Sequence, residues 1–200
     1  MIKKIAHGLY KKHLKIINED ILKFKLNSIS NENLIIYGNL PYNIATEILI
    51  KWIAEPEKFL SCEKLILMFQ KEVAQRICAQ PGSNHYGRLA VLAQAVCRTR
   101  IAFTLPPGAF KPPPKVASAV AVLIPLDQQD RFEDLKSLQT VTAAAFGQRR
   151  KMLRASLKSI MPNGVTAEDM LNAIGIDPQR RAETLKQQEF RDLTTAWGQL

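Results

Sequence analysis

Cysteine is scarce in this 200-residue chain, and the three that occur, Cys62, Cys78 and Cys97, lie far apart. No C-x-x-C pair exists, and none of them clusters with His7, His13 or His85 at metal-ligand spacing. A disulfide framework and a zinc site are therefore not expected; reduced thiols, a cytoplasmic location and no metal are. Long apolar runs are missing too, since nothing approaches the roughly 18 residues of a membrane-spanning helix. The opening stretch MIKKIAHGLYKKHLKII interrupts with lysines the apolar segment a signal peptide would need. A protein neither exported nor embedded in a membrane is expected. Acidic residues are few beside basic ones: 18 Asp and Glu against 28 Lys and Arg leave a formal net charge of +10. That excess favours polyanionic partners, nucleic acid first and an anionic membrane surface second.

What is present is a folding sequence, 46% hydrophobic, with enough apolar content for a sizeable core. The spacing of Ile2, Ile5, Ala6 and Leu9 predicts a helix over 2–12. Short strands are predicted at 14–18 and 33–39, a helix at 44–54, a continuous apolar strand at 64–69 and helices at 72–79 and 87–97. The β-branched runs at 100–106 and 118–125 have only a proline-rich loop between them, which implies an antiparallel hairpin at the sheet edge. Alternation of strands and helices up to that point suggests a mostly parallel sheet covered on both faces. From residue 127 the pattern is helical only, with helices at 132–146, 149–160, 166–174 and 188–197. The division expected is residues 1–126 as an α/β unit and 127–200 as a small all-helical domain.

One stretch resists a packing explanation. The apolar run Ile35-Ile36-Tyr37 ends abruptly at Gly38-Asn39-Leu40-Pro41-Tyr42, an amide, a rigid proline and an aromatic ring where a strand stops. Ligands of open α/β sheets bind beyond such strand ends. Pro41 biases Leu40 toward extended backbone, so nearby carbonyls point in a defined direction. Acceptors beside a flat ring suit a planar base carrying an exocyclic NH2: they draw its hydrogens away and aim the nitrogen lone pair, while the ring stacks for about 1–3 kcal/mol. Asp20 follows the predicted strand at 14–18 and reads either as a turn or cap residue or as a ligand contact.

The N-L-P-Y-N-I run of residues 39–44 resembles the catalytic motif of the S-adenosylmethionine-dependent adenine dimethyltransferases of small-subunit ribosomal RNA. INEDILKF (17–24), MFQKEVAQRI (68–77), YGRLAVL (86–92), FKPPPKVASAV (110–120) and FGQRRKMLRASL (146–157) extend the resemblance collinearly along nearly the whole chain. It implies a class I (Rossmann-like) methyltransferase sheet with an appended helical domain, S-adenosylmethionine as methyl donor without a metal, and the immature small ribosomal subunit as partner of a monomeric enzyme. Asp20 and Ile21 would hold the donor's adenine, and Asn39 would lie near its methionine end. Asn39, with the Leu40 and Pro41 carbonyls, would accept from the target amine, and Tyr42 and Phe110 would face the flipped-out base.

On the predicted helix 149–160, Arg150, Arg154 and Lys158 recur every four residues and form one stripe opposite Leu153, Leu157 and Ile160. Such a stripe is either a solvated face or a phosphate contact; with Arg149, Lys151 and the resemblance it reads as RNA-binding. Arg180 and Arg181 rank below them. One departure matters: this sequence contains no E-x-G-x-G stretch, the loop with which class I methyltransferases seat the donor's methionine end, and no acidic ribose-binding residue after a second strand. An N-terminally incomplete sheet, inactive alone, is therefore expected. The alternatives are a non-catalytic RNA-binding or ribosome-assembly protein and a methyltransferase for DNA adenine or another amine.

Overall fold

The structure, a computed structural model, describes residues 16–24, 34–54, 62–148 and 150–200. The expected helix at 2–12 lies outside these residues. Strand β1 (Leu34–Asn39) leads through helix α1 (Ala45–Ala54) to β2 (Cys62–Gln70), and α2 (Lys71–Ile77) and α3 (Arg88–Gln94) follow. The hairpin β3 (Cys97–Leu105) and β4 (Ser118–Pro125) comes next. Helices α4 (Leu135–Gly147), α5 (Leu153–Ser156), α6 (Ala167–Ala173) and α7 (Gln187–Gly198) complete the chain.

The sheet order is β1-β2-β4-β3. β1 and β2 run parallel, while β4 is antiparallel to both β2 and β3. Among the described residues the sheet is thus not mostly parallel, because the hairpin inserts β4 beside β2 and supplies two of the pairings. β3 occupies the edge expected of a hairpin strand. The expected strand at 14–18 is not found where it can be seen: residues 16–18 are irregular and exposed. A strand needs a neighbour to satisfy its backbone groups, and no described strand pairs with the far edge of β1.

One sheet face is fully packed, and the other is exposed toward its edges. Leu65, Leu67 and Phe69 of β2 alternate inward with Leu123, Ala121 and Ala119 opposite them on β4, all fully buried beneath α2 and α3. The opposite face carries Tyr37, 73% exposed, and Phe103, 53% exposed. Among the described residues no helix covers this face around Tyr37 and Phe103. Gly38 sits where a Cβ would come within 2.6 Å of the fully buried Leu67 side chain, so the approach of β1 to β2 requires a residue without one.

The helices from α4 onward share the core of the α/β part. Tyr86 meets Phe146 edge-on at 6.1 Å, Phe146 stacks on Phe190 at 5.5 Å, and the Tyr86 hydroxyl donates to the Leu185 carbonyl at 3.0 Å. Burial pushes the Tyr86 phenol well above its usual pKa, so it remains a donor at any physiological pH. The three cysteines are free thiols, each raised in pKa by burial.

At the start of α7, Glu189 accepts from the Lys186 amide at 2.7 Å and from Arg180 Nη2 at 3.1 Å, with a second Arg180 contact through Nη1. The guanidinium holds the Glu189 carboxyl below its usual pKa. A depressed carboxylate contributes stability above its unfolded pKa of about 4.3, and that contribution disappears as pH falls through the folded value. Glu189→Gln is therefore expected to cost about 1 kcal/mol at pH 7, measured by urea denaturation, with the difference from the parent vanishing in acid.

Candidate functional site

The ends of three strands meet in one row. Asn39 closes β1 opposite Met68 of β2, and Gln70, the last residue of β2, pairs with Ser118, the first of β4, which also pairs with Leu105 of β3. Because β4 runs against β1 and β2, its beginning lies where theirs end. The chain passes from Asn39 through the buried Leu40 and exposed Pro41 into a turn closed by the Ile44 amide donating to the Pro41 carbonyl at 3.1 Å. That turn launches α1.

The Asn39 side chain is exposed and has no hydrogen-bond partner among the described residues, so its carboxamide is available. Of the two carbonyls expected to complete the acceptor set, Pro41 is already engaged by the turn, whereas no turn bond reaches Leu40. Asn39 and Leu40 are thus unengaged acceptors at the strand end, and the Pro41 carbonyl, with one lone pair used by the turn, keeps a second.

The Tyr42 and Ser118 hydroxyls share a hydrogen bond of 2.5 Å across 76 residues of sequence. It fixes the ring beside the strand ends. Ser118 is fully buried, and its neighbour Ala117 accepts from the Lys71 amide at 2.9 Å, so the loop before β4 is tied both to Tyr42 and to the start of α2. Phe110 follows the 3₁₀ turn Pro107–Ala109 and is half-buried. Ser118 and Lys71 were not among the residues that the sequence singled out. The only signal for Ser118 was its place as the first residue of a strand following the proline loop.

Asp20 forms a turn: its Oδ1 accepts from the Leu22 amide at 3.0 Å, and its carbonyl accepts from Lys23 and Phe24 at 2.9 Å. Lys51 of α1 donates to the Leu22 carbonyl, anchoring this turn, while Ile21, Leu22 and Phe24 pack against the core. One Asp20 oxygen and the exposed side of the turn remain for a ligand.

The basic segment differs from the expected continuous helix. Arg149 lies outside the described residues, Arg150 and Lys151 are in a turn, α5 begins at Leu153, and Lys158 belongs to the 3₁₀ turn Leu157–Ile160. The cause is tertiary. The Leu153 and Arg154 amides donate to the Arg180 and Pro178 carbonyls instead of carbonyls four residues back. Arg150, Arg154 and Lys158 thus share exposure but not one helical stripe, and Arg154 pairs with Glu168 at 3.5 Å. Arg180 is committed to Glu189, which leaves the exposed Arg181 as the freer of that pair.

The buried Ser118 hydroxyl gives the Tyr42 tether a measurable signature. Tyr42→Phe is expected to cost about 1–3 kcal/mol by stranding it. Adding Ser118→Ala should recover much of that loss. A double-mutant cycle by urea denaturation is expected to give non-additivity of at least about 0.5 kcal/mol; additive losses would show the two hydroxyls to be energetically independent.

Comparison with known proteins gives the family and the fold. Residues 1–197 match the family described as ribosomal RNA adenine dimethylase. The chain is 48% identical over 184 residues to the ribosomal RNA small subunit methyltransferase A of Gluconobacter oxydans (strain 621H), covering 92% of this chain and 58% of that protein. It is 44% identical over 195 residues to the protein of the same name from Caulobacter vibrioides, covering 98% and 71%. The fold resembles a dimethyladenosine transferase from Plasmodium falciparum, with a TM-score of 0.80 at 22% identity over 99% of this chain and 77% of that one. It also resembles the 23S rRNA methyltransferase ErmE, with a TM-score of 0.67 at 20% identity over 98% and 77%. The fold is that of the class I methyltransferases, and the chain, spanning about three-fifths of the Gluconobacter relative, belongs to the ribosomal RNA adenine dimethylase family.

Proposed function

We propose that this chain carries the base-accepting half of an S-adenosylmethionine-dependent enzyme that dimethylates adenine amines in small-subunit ribosomal RNA during ribosome assembly. The observation that carries the reading is the strand end itself: an unpartnered Asn39 carboxamide beside a tyrosine ring locked through Ser118. In this reading the Asn39 oxygen and the Leu40 carbonyl accept from the N6 hydrogens of a flipped-out adenine and orient its lone pair. Tyr42 stacks on one face of the base and Phe110 approaches the other. With S-adenosylmethionine bound, the donor would supply a sulfonium methyl to the N6 nitrogen, leaving as the neutral thioether while the amine proton passes to solvent, and the residues' contribution would be chiefly positioning.

S-Adenosylmethionine supplies an electrophilic methyl group on sulfonium. In this reading the free oxygen of Asp20 and the side chain of Ile21 would hold its adenine, and Asn39 would approach its methionine end. This sequence has no glycine-rich loop to seat that end, so the fit is one-sided and micromolar donor binding by residues 1–200 alone is not expected. In the same reading residues 1–126 form the catalytic part and 127–200 the RNA-binding part. Arg149, Arg150, Lys151, Arg154 and Lys158 contact phosphates of the immature small subunit, and the protein acts as a cytoplasmic monomer. No described helix is long and apolar enough to cross a membrane.

A second reading is an RNA-binding assembly protein without catalysis, in which the basic excess serves binding alone. A chimera separates the two: residues 16–200 replace the matching segment of the Gluconobacter relative, and dimethyladenosine in treated small-subunit particles is measured by mass spectrometry. The chimera is expected to be active. Asn39→Ala in it should lower turnover by at least a hundredfold with little loss of RNA affinity, because phosphates supply most of the binding. A folded chimera that makes no dimethyladenosine would favour the non-catalytic reading.

A further inference from the structure

Some of the described arginines are paired and others are not: Arg76, Arg88, Arg98, Arg100, Arg150 and Arg181 have no partner among the described residues. Arg131, Arg154, Arg180 and Arg191 are engaged by carboxylates or backbone carbonyls. Of the unpaired ones, Arg76 and Arg88 stand in one cleft of about 630 Å³ where α2, the loop before α3 and the end of α4 meet. Glu72 and His85 share its walls, and Tyr86 and Phe146 line it beneath. Arg150 and Lys151 follow shortly after Gly147, which also lines the cleft, and add positive charge near that end. Two guanidiniums left unpaired in a concavity large enough for a nucleotide make a site for an anion.

The chain connects this cleft directly to the strand-end site. Glu72 follows Lys71, whose amide is bonded to Ala117, and Ala117 adjoins Ser118, the partner of Tyr42. An RNA strand with an adenine stacked on Tyr42 must lead its flanking phosphates away from that ring, and the cleft begins within a few residues of it. The Glu72 carboxylate offsets one of the two guanidiniums, while Arg150 and Lys151 keep the balance at that end positive, which suits the successive single charges of a phosphodiester backbone. Glu72 adds an acceptor to the cleft wall, the kind of group that can take a ribose hydroxyl.

We propose that the Arg76–Arg88 cleft holds the phosphodiester backbone of the RNA strand flanking the target adenine. This inference rests on the RNA-binding part of the function proposed above and adds the path the strand takes. The test measures anisotropy of a labelled RNA hairpin with an adenine-containing loop, bound to residues 1–200 over a range of salt. The variant Arg76→Gln/Arg88→Gln is compared with Arg98→Gln/Arg100→Gln, an equal loss of exposed charge on β3. The cleft pair is expected to weaken binding at least tenfold at low salt and to flatten the log–log salt slope by about 1.4–1.8, for two contacts at about 0.7–0.9 each. The β3 pair should do less than half as much.

Equal losses from both pairs, or none from the cleft pair, would overturn the cleft while leaving RNA binding intact. A parent chain that does not bind the hairpin at any salt would overturn both the cleft and the RNA-binding reading. Adenosine monophosphate that displaces the hairpin at equal concentration would identify the cleft as a free-nucleotide site and overturn the proposal. A second readout needs no variant: 4-thiouridine placed next to the loop adenine is expected to photo-crosslink within residues 72–88. Crosslinks mapping to 98–103 instead would overturn the assignment.

Discussion

The hydrogen bond between Tyr42 and Ser118 depends on the direction of β4. In a wholly parallel sheet the first residue of a strand lies at the face opposite the ends of its neighbours. The β3–β4 hairpin reverses that, so Ser118 begins where β1 and β2 end and a hydroxyl becomes available beside the motif turn. The bond constrains the ring through its hydroxyl while leaving both of its faces to be defined by the surroundings. Gly38 allows β1 to approach β2 closely enough for this geometry, and the Lys71–Ala117 bond holds the far side of the proline loop. A planar base needs a ring fixed in this way before it arrives, since ordering the ring on binding would consume part of the stacking energy.

The helical part is fastened to the α/β part by the Tyr86–Phe146–Phe190 stack and by Gln187, which donates to the Val91 carbonyl at 2.9 Å. This packing sets the end of α4 beside α2 and creates the cleft between them. Arg131, Arg154, Arg180 and Arg191 are held by carboxylates or carbonyls, whereas Arg76 and Arg88 line the cleft without a hydrogen-bond or ion-pair partner among the described residues, and unpaired guanidiniums retain their capacity for bidentate contact with phosphate.

Much of the sheet was legible because apolar runs and turn signals there are local. β4 was read at its observed bounds, and α1 and β2 differ from their expected limits by one or two residues. The strand-end motif was legible because proline and tyrosine in that position conflict with burial. What was not legible depends on distant partners. Ser118 matters through a residue 76 positions away, and no periodicity announces that. The basic segment has a valid four-residue period, yet carbonyls at Pro178 and Arg180 capture the amides a continuous helix would use. The far side of β1 failed for a related reason: the sequence at 16–18 is apolar enough for a strand, but strand formation requires a paired edge.

The central claim is that the end of β1 receives an adenine taken out of its stack. The most direct measurement is an experimental structure of residues 1–200 bound to an RNA hairpin with an adenine-containing loop. The account predicts one loop adenine with its face against Tyr42 and its N6 within about 3.2 Å of the Asn39 carboxamide oxygen or the Leu40 carbonyl. RNA held by the helices alone, with its adenines still stacked in the loop and the Tyr42 ring facing solvent, would contradict it.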